Sequence, residues 1–446
     1  MFQFKNFKGF ADVSINLERP LTVLIGPNGS GKSNAIEAIE LLSFLIRGQP
    51  LHEVTDLSRG GILEIRGGLA ACARVAGQPF EFSFITSLSF EGEIREVTYQ
   101  VAILTSSSDE ARIFSESLRI SGRDTPIFEI SAFGGAASAD NEVRYDNFAP
   151  GPIKPTAPVS ADRSAISQYA RFATNNRKLS GCLEFISSLS KVLETAFVFD
   201  PIPKLMRGYE RQSESVLSRN GFNISPVLYN LSRQPIFLVK GDERDRIRRA
   251  AAAEKRKSVF RIRDWITKLP DEPFKDFDFI RTRGGDVMMG FYTPDPRRIV
   301  DARLLSDGTL RTLAILTALE TGSEKARIVI EEFDNGVHPS RVRILIEALA
   351  DTCQRRQMRV LVTTHNPATL NELLPEQMEG VVFSVWSSET GSFKLVELSE
   401  LPRHVEFMER GRLGDLVTKR VVEQYINPGF DESQKNKAKD WLESLK

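Results

Sequence analysis

Cysteine and histidine are scarce in this chain of 446 residues, with three of the first and four of the second. Cys72, Cys182 and Cys353 stand far apart and form no C-x-x-C. That excludes a disulfide-stapled secreted scaffold and suits a reducing compartment. The histidines form no cluster with metal-ligand spacing. Net charge is lacking too. Lys plus Arg number 59 and Asp plus Glu number 59, a formal charge of zero, so a generally basic nucleic-acid binder is not indicated. No apolar run approaches the ~20 residues of a membrane-spanning helix. The opening MFQFKNFKGF has no apolar core of signal-peptide length. A soluble protein of the cytoplasm, with no membrane partner, is expected.

What is present centres on the stretch LTVLIGPNGSGKSN, from Leu21 to Asn34. Leu21 to Ile25 is short, apolar and β-branched, and reads as a buried strand. Gly26 to Ser33 then fits G-x-x-x-x-G-K-[ST], and a helical apolar pattern continues from Asn34 to Ile46. Strand, glycine-rich loop and helix are the context this motif needs. The glycines Gly26, Gly29 and Gly31, with Asn28, let backbone N–H groups turn inward around phosphate oxygens. The helix start at Lys32, Ser33 and Asn34 adds partial positive charge. Lys32 is expected to reach the β- and γ-phosphates, and the Ser33 hydroxyl to bind Mg²⁺.

Hydrophobic content of 41% and charged content of 26% allow an ordinary core, and the length fits two or three units or one domain with an insertion. Residues 1–17 alternate around Phe2, Phe4, Phe7 and Phe10 and read as edge strands. Residues 61–104 carry alternating runs that read as antiparallel strands, with turns at Gly67-Gly68 and Glu91-Gly92; 112–130 continue the sheet. Residues 133–160, rich in Gly, Ala, Ser, Asp and Pro, read as a long flexible loop and a boundary. Residues 161–231 read as mostly helical, with a break at 199–203. Residues 238–266 form a charged helix containing ERDRIRRAAAAEKRK. Its cations invite a nucleic-acid reading, but interspersed acids favour a solvated face. Strands follow over 277–292 with a turn at Gly284-Gly285, then a helix over 304–320, a buried strand over 326–330, a helix over 341–355 and a buried strand over 359–363. Two strands, 380–385 and 392–398, precede a charged, helical tail.

Three later stretches supply chemistry that a phosphate-binding loop alone does not. The apolar strand ARIVI ends in Glu331 and Glu332. Adjacent strand residues point to opposite sides, so one carboxylate can face Mg²⁺ while the next reaches an attacking water. A surface strand end with two acids is the plainer alternative, weakened because parallel strands deliver their C-terminal ends to the ligand crevice. Another strand ends in Thr-Thr-His365, which points to phosphate sensing. Ser306-Asp-Gly308 precedes a helix, where Ser306 serves as an N-cap, as a second phosphate-binding helix start, or as both.

The order GPNGSGKS, LSDGTLR, EEFDNGVHP, TTHNP resembles an ABC-type AAA family ATPase of the branch containing SMC, RecF and OLD-like proteins. The resemblance covers the N-terminal block and residues 277–385 well. The middle is covered more loosely, through SAISQ and NGFNISPVLYNL. It implies an α/β fold: a P-loop ABC-type ATPase head with an N-terminal antiparallel β subdomain and a helical insertion. Expected divisions are an N-terminal lobe over 1–132, the loop 133–160, the insertion 161–276, a C-terminal lobe 277–400 and a helical tail 401–446. The resemblance implies ATP and Mg²⁺ as cofactors, with Lys32 and Ser33 on phosphate and metal, Glu331 at the metal-side acid and Glu332 as general base. It also implies His365 on the γ-phosphate, Ser306 and Gly308 on ATP held by the other protomer, and Asp334 and Asn335 in the loop crossing a dimer interface. Glu331 stands where the family usually has Asp, and its longer side chain is expected to alter Mg²⁺ geometry and slow turnover. Gln78, Gln100 and Gln168 all remain candidates for the family's Q-loop glutamine.

The implied function is a slow ATPase switch that forms an ATP-sandwiched homodimer or a larger assembly. The first reading is a sensor or scaffold of bacterial anti-phage defence acting on a separately encoded nuclease or toxin, because the stretch after His365 is too short for a nuclease of the type fused to OLD proteins. The second is a RecF- or SMC-like DNA repair or recombination ATPase, which zero net charge helps little.

Overall fold

The computed structural model describes residues 1–57, 62–105, 111–131, 140–172, 177–194, 196–233, 243–270, 274–293, 295, 299–401 and 404–426. They divide into two compact units.

The first unit comprises Met1–Arg19, Gly26–Ala196 and Val382–Glu400. Its sheet is built outward from the hairpin Phe2–Phe7 and Phe10–Ile15. Alternation puts Phe2 and Phe4 on one face, and they lie opposite Phe84 and Phe82 of the strand Phe80–Phe90. The Phe2 and Phe84 ring centroids stand 4.7 Å apart, and Phe4 meets Phe82 edge-on at 5.9 Å. Phe80–Phe90 pairs with Glu93–Thr105 through a two-residue turn in which Glu91 and Gly92 both have positive φ, the twist that hairpin turns favour. Ala111–Ile120 and Phe128–Ile130 extend the sheet.

Two expectations are corrected here. The stretch 133–160 is not a loop throughout: Asp140–Tyr145 and Thr156–Ser160 pair antiparallel and continue the sheet, while 132–139 lie outside the described residues. Each strand buries a single side chain, Val143 and Val159, so almost no apolar alternation marks them in the sequence. Around Gly67-Gly68, the short strand Leu63–Glu64 pairs parallel with Val54–Thr55 instead of joining an antiparallel run.

A carboxylate ties this sheet to the helix Ala165–Phe172. Glu116, on Ala111–Ile120, accepts from the backbone N–H groups of Ala165 (2.6 Å) and Ile166 (2.9 Å) and from the Tyr99 hydroxyl (3.0 Å). Burial nevertheless pushes its carboxyl up to about 7, against the lowering by those donors.

The second unit comprises Pro20–Ile25, Phe197–Val381 and Leu401–Lys446. Its centre is a parallel sheet of Leu21–Ile25, Arg359–Thr364 and Arg327–Ile330, with Val362 level with both Val23 and Ile330. All but Arg359 of these strand residues are buried, as a parallel strand covered on both faces must be. The register brings the C-terminal ends of the three strands to one edge. The helices Asp307–Thr321 and Pro339–Arg356 belong to this unit, as does a small antiparallel sheet built on the hairpin Asp276–Arg281 and Asp286–Tyr292. The expected turn is present, with Gly285 at φ +90°. The charged helix spans Glu243–Thr267 and buries Ala252, Ser258, Ile262 and Ile266, while its expected start, 238–242, lies outside the described residues. Lys257 and Arg261 pair with Glu254, and Arg263 with Asp276, as a solvated face would. Of the tail, 404–426 form short helices and 427–446 lie outside the described residues.

Glu116 generates a prediction. An unfolded carboxyl titrates near 4.5 and the native one near 7, so the native state holds the extra proton. This group therefore favours the fold below about pH 4.5, and that contribution is lost as pH rises to about 7. Glu116→Gln should flatten the pH dependence of unfolding free energy across that window by about 3 kcal/mol, read by urea titration at several pH values.

Candidate functional site

In the first unit the loop Gly26 to Gly31 leads into the helix Lys32–Ile46, which starts two residues earlier than the apolar pattern suggested. Gly29 and Gly31 have φ of +78° and +97°, conformations that side chains resist. A Cβ on Gly26 would meet the Ser30 hydroxyl and the Ser384 carbonyl at 2.5 Å. The loop is thus held by packing as well as by its own sequence: the Ser384 hydroxyl donates to the Ser30 carbonyl at 2.6 Å. The helix has no side-chain cap and no acid in its first turn, which leaves its N–H groups for an anion. Lys32 is buried, and its ammonium donates to the carbonyls of Gly26 (2.6 Å) and Pro27 (2.9 Å). Asn28 and Gly29 are exposed at the tip, and Ser33 and Asn34 are half-buried in the first turn.

The second unit gathers the other candidates. Arg327–Ile330 stops before Glu331, so strand alternation does not separate the two carboxylates. A left-handed turn does: Glu332 has φ +44°, strained for a residue with a side chain. Its backbone N–H donates to the Thr363 hydroxyl at 2.9 Å, and its carboxylate accepts from Asn335 at 2.9 Å and lies 3.8 Å from His365 Nδ1. Glu331 faces elsewhere, 3.5 Å from the Arg219 guanidinium. Both carboxylates remain partly exposed.

Asp334 differs from expectation. It lies in the turn after Glu332, but its carboxylate is turned inward and buried, accepting from the Thr364 hydroxyl at 2.7 Å and from the Thr369 hydroxyl. It therefore pins the turn carrying Glu332 to the loop carrying His365. Ser306 caps the helix Asp307–Thr321 by accepting from Thr309 N–H at 3.1 Å, and its side chain is exposed. Gly308 is buried, and a Cβ there would sit 2.6 Å from the Gly336 carbonyl. Gly308 thus packs on the turn that follows the carboxylates.

Three residues escaped the sequence reading. Arg311 is buried and donates to the carbonyls of Pro201 and Glu331, both at 3.1 Å, and to Asp200 at 3.4 Å. Burial pushes the Asp200 carboxyl above its ordinary value, opposed by Arg311 and Arg219. Arg311 stood inside LSDGTLR and Asp200 at the break after Phe199, so each carried a positional signal; Arg219 carried none. Among the described residues no three His, Cys, Asp or Glu side chains gather to hold a metal by themselves.

The family model described as "AAA domain, putative AbiEii toxin, Type IV TA system" matches residues 21–371, and the chain belongs to this AAA-domain family. Short stretches are similar to "Chromosome partition protein Smc" of Halothermothrix orenii, 55% identical over 38 residues, and of Methanocaldococcus jannaschii, 49% over 37. Each covers 8% of this chain and spans 3% of the relative's length. Among solved structures, an Smc head bound to the C-winged helix domain of ScpA aligns with TM-score 0.46 and 12% identity, covering 89% of this chain and 97% of that one. The SMC head domain from Thermotoga maritima aligns with TM-score 0.38 and 14% identity, with the same coverages.

The buried Asp334 gives a direct test. Asp334→Ala should cost about 3 kcal/mol of stability in denaturant titration, because it removes two charge-assisted bonds and takes away the acceptor of two buried hydroxyl donors.

Proposed function

We propose that this chain binds ATP with Mg²⁺, hydrolyses it slowly, and uses the cycle to join and release two copies of itself. The loop fits the phosphates: Gly29 and Gly31 adopt left-handed φ, its helix start is free of acids, and the Lys32 ammonium, now on two loop carbonyls, can exchange these for phosphate oxygens. Ser33 would hold Mg²⁺. Glu331, now beside Arg219, would serve as a metal-side acid. Glu332 would accept the proton of the attacking water, with His365 beside it to sense the γ-phosphate. Ser306 and Gly308 would serve ATP held by the other copy. The observation that carries this reading is the divergence of Glu331 and Glu332, one beside a guanidinium and the other beside an imidazole and an amide.

A switch of this kind needs something to act on. We place that effector on a separate chain, a nuclease or toxin of an anti-phage system working in the cytoplasm. The support is the family's own description, which names a toxin and a toxin–antitoxin system.

Lys32→Ala should abolish ATP-dependent self-association, and Glu332→Gln should trap the ATP-bound assembly while lowering turnover about a hundredfold or more. Size-exclusion chromatography with mass detection reads the first, phosphate release the second. The same assembly mass for both variants, with and without ATP, would refute the switch. Strong stimulation of ATP turnover by duplex DNA would move the reading toward repair or recombination.

A further inference from the structure

The two closing strands of the first unit, Val381–Ser387 and Ser392–Glu397, do more than buttress the phosphate loop. Ser384 and Trp386 are two residues apart on one strand and share a face. Phe393 lies directly opposite Trp386 on the neighbouring strand, so it shares that face too. Each of the three has a distinct relation to the loop. Ser384 donates to the Ser30 carbonyl. Phe393 is wedged between Gly31 and Gly9: Cβ atoms built on those glycines would stand 3.0 Å and 2.4 Å from its ring. Trp386 meets Phe393 edge-on, with ring centroids 5.0 Å apart and planes at 74°.

Trp386 is also 51% exposed, although its strand neighbours Val385 and Ser387 are buried. A large indole left in water, with its edge held by the half-buried Phe393, is a rigid aromatic surface that no side chain covers among the described residues. Every nucleobase has a π-face, and stacking on such a surface is tolerant of base identity. The row Ser384, Trp386, Phe393 carries the surface away from the cradle that takes the phosphates.

We propose that Trp386 is the stacking platform for the base of the bound nucleoside triphosphate, and that Phe393 positions it by packing on Gly31. The inference rests on the nucleotide reading above and deepens it. It divides the ligand between two parts of one unit: the loop holds phosphate and Trp386 holds the base. Gly9 is required because Phe393 occupies the space a side chain would need.

The test compares ATP with inorganic tripolyphosphate, each with Mg²⁺, on the full chain, by calorimetry and intrinsic tryptophan fluorescence. ATP should quench the wild-type emission and tripolyphosphate should bind without the same quench. Trp386→Ala should weaken ATP about tenfold and leave tripolyphosphate affinity unchanged. Trp386→Phe should keep most of the ATP affinity and lose the quench. Unchanged ATP affinity in Trp386→Ala overturns the proposal, as does an equal loss for both ligands, which would mean a distorted loop. If ATP binds the wild type and only the stacking arm fails, the nucleotide reading stands. If neither ligand binds the wild type, both readings fall together.

Discussion

One buried carboxylate decides how the catalytic candidates of the second unit are held. Asp334 sits in the turn after Arg327–Ile330 and takes the hydroxyls of Thr364 and Thr369. Thr364 ends the neighbouring strand and precedes His365. The Thr363 hydroxyl, one residue earlier, takes the backbone N–H of Glu332. Two strand ends are therefore stitched crosswise, and the 3.8 Å between Glu332 and His365 follows from the stitching. A charged group buried at this depth persists because both donors reach it; without them its desolvation would dominate.

The same crossing explains a strained backbone. Glu332 holds φ +44° although nothing in its side chain favours that. Its N–H is committed to Thr363 and the Phe333 N–H to the Thr363 carbonyl, so two bonds over-determine the turn. Strain stored at this position aims the carboxylate away from that of Glu331. The buried Arg311 fixes the other flank, since it grips the Glu331 carbonyl while Arg219 attends the Glu331 side chain. A guanidinium suits that place because it stays charged despite the lowering that burial imposes.

Much of this was readable from residues in order. The phosphate loop, the buried parallel strands and the carboxylate pair follow from local pattern, because a glycine-rich turn between strand and helix admits few structures. Other features were not readable. Asp334 belongs by motif to a loop facing a partner, yet its carboxylate is used up by threonines 30 and 35 residues away. The strands within 140–160 carry too little alternation to stand out, and only the pairing of Asp140–Tyr145 with its neighbours reveals them. Arg219 gave no sign at all, since its significance lies in a carboxylate 112 residues distant.

The sequence by itself determined the chemistry on offer: a loop shaped for phosphate, two acids at a strand end, a histidine at the next and a capped helix start. These are local, set by backbone freedom at glycine and by the two-residue period of strands. Tertiary structure decided which of those groups are free to act. It spent Asp334 on the fold, turned Glu332 through a left-handed bend, gave Glu331 to an arginine and left Trp386 uncovered beside the loop. The physical reason is that burial and hydrogen-bond satisfaction are properties of what surrounds a side chain, and those neighbours come from distant parts of the chain.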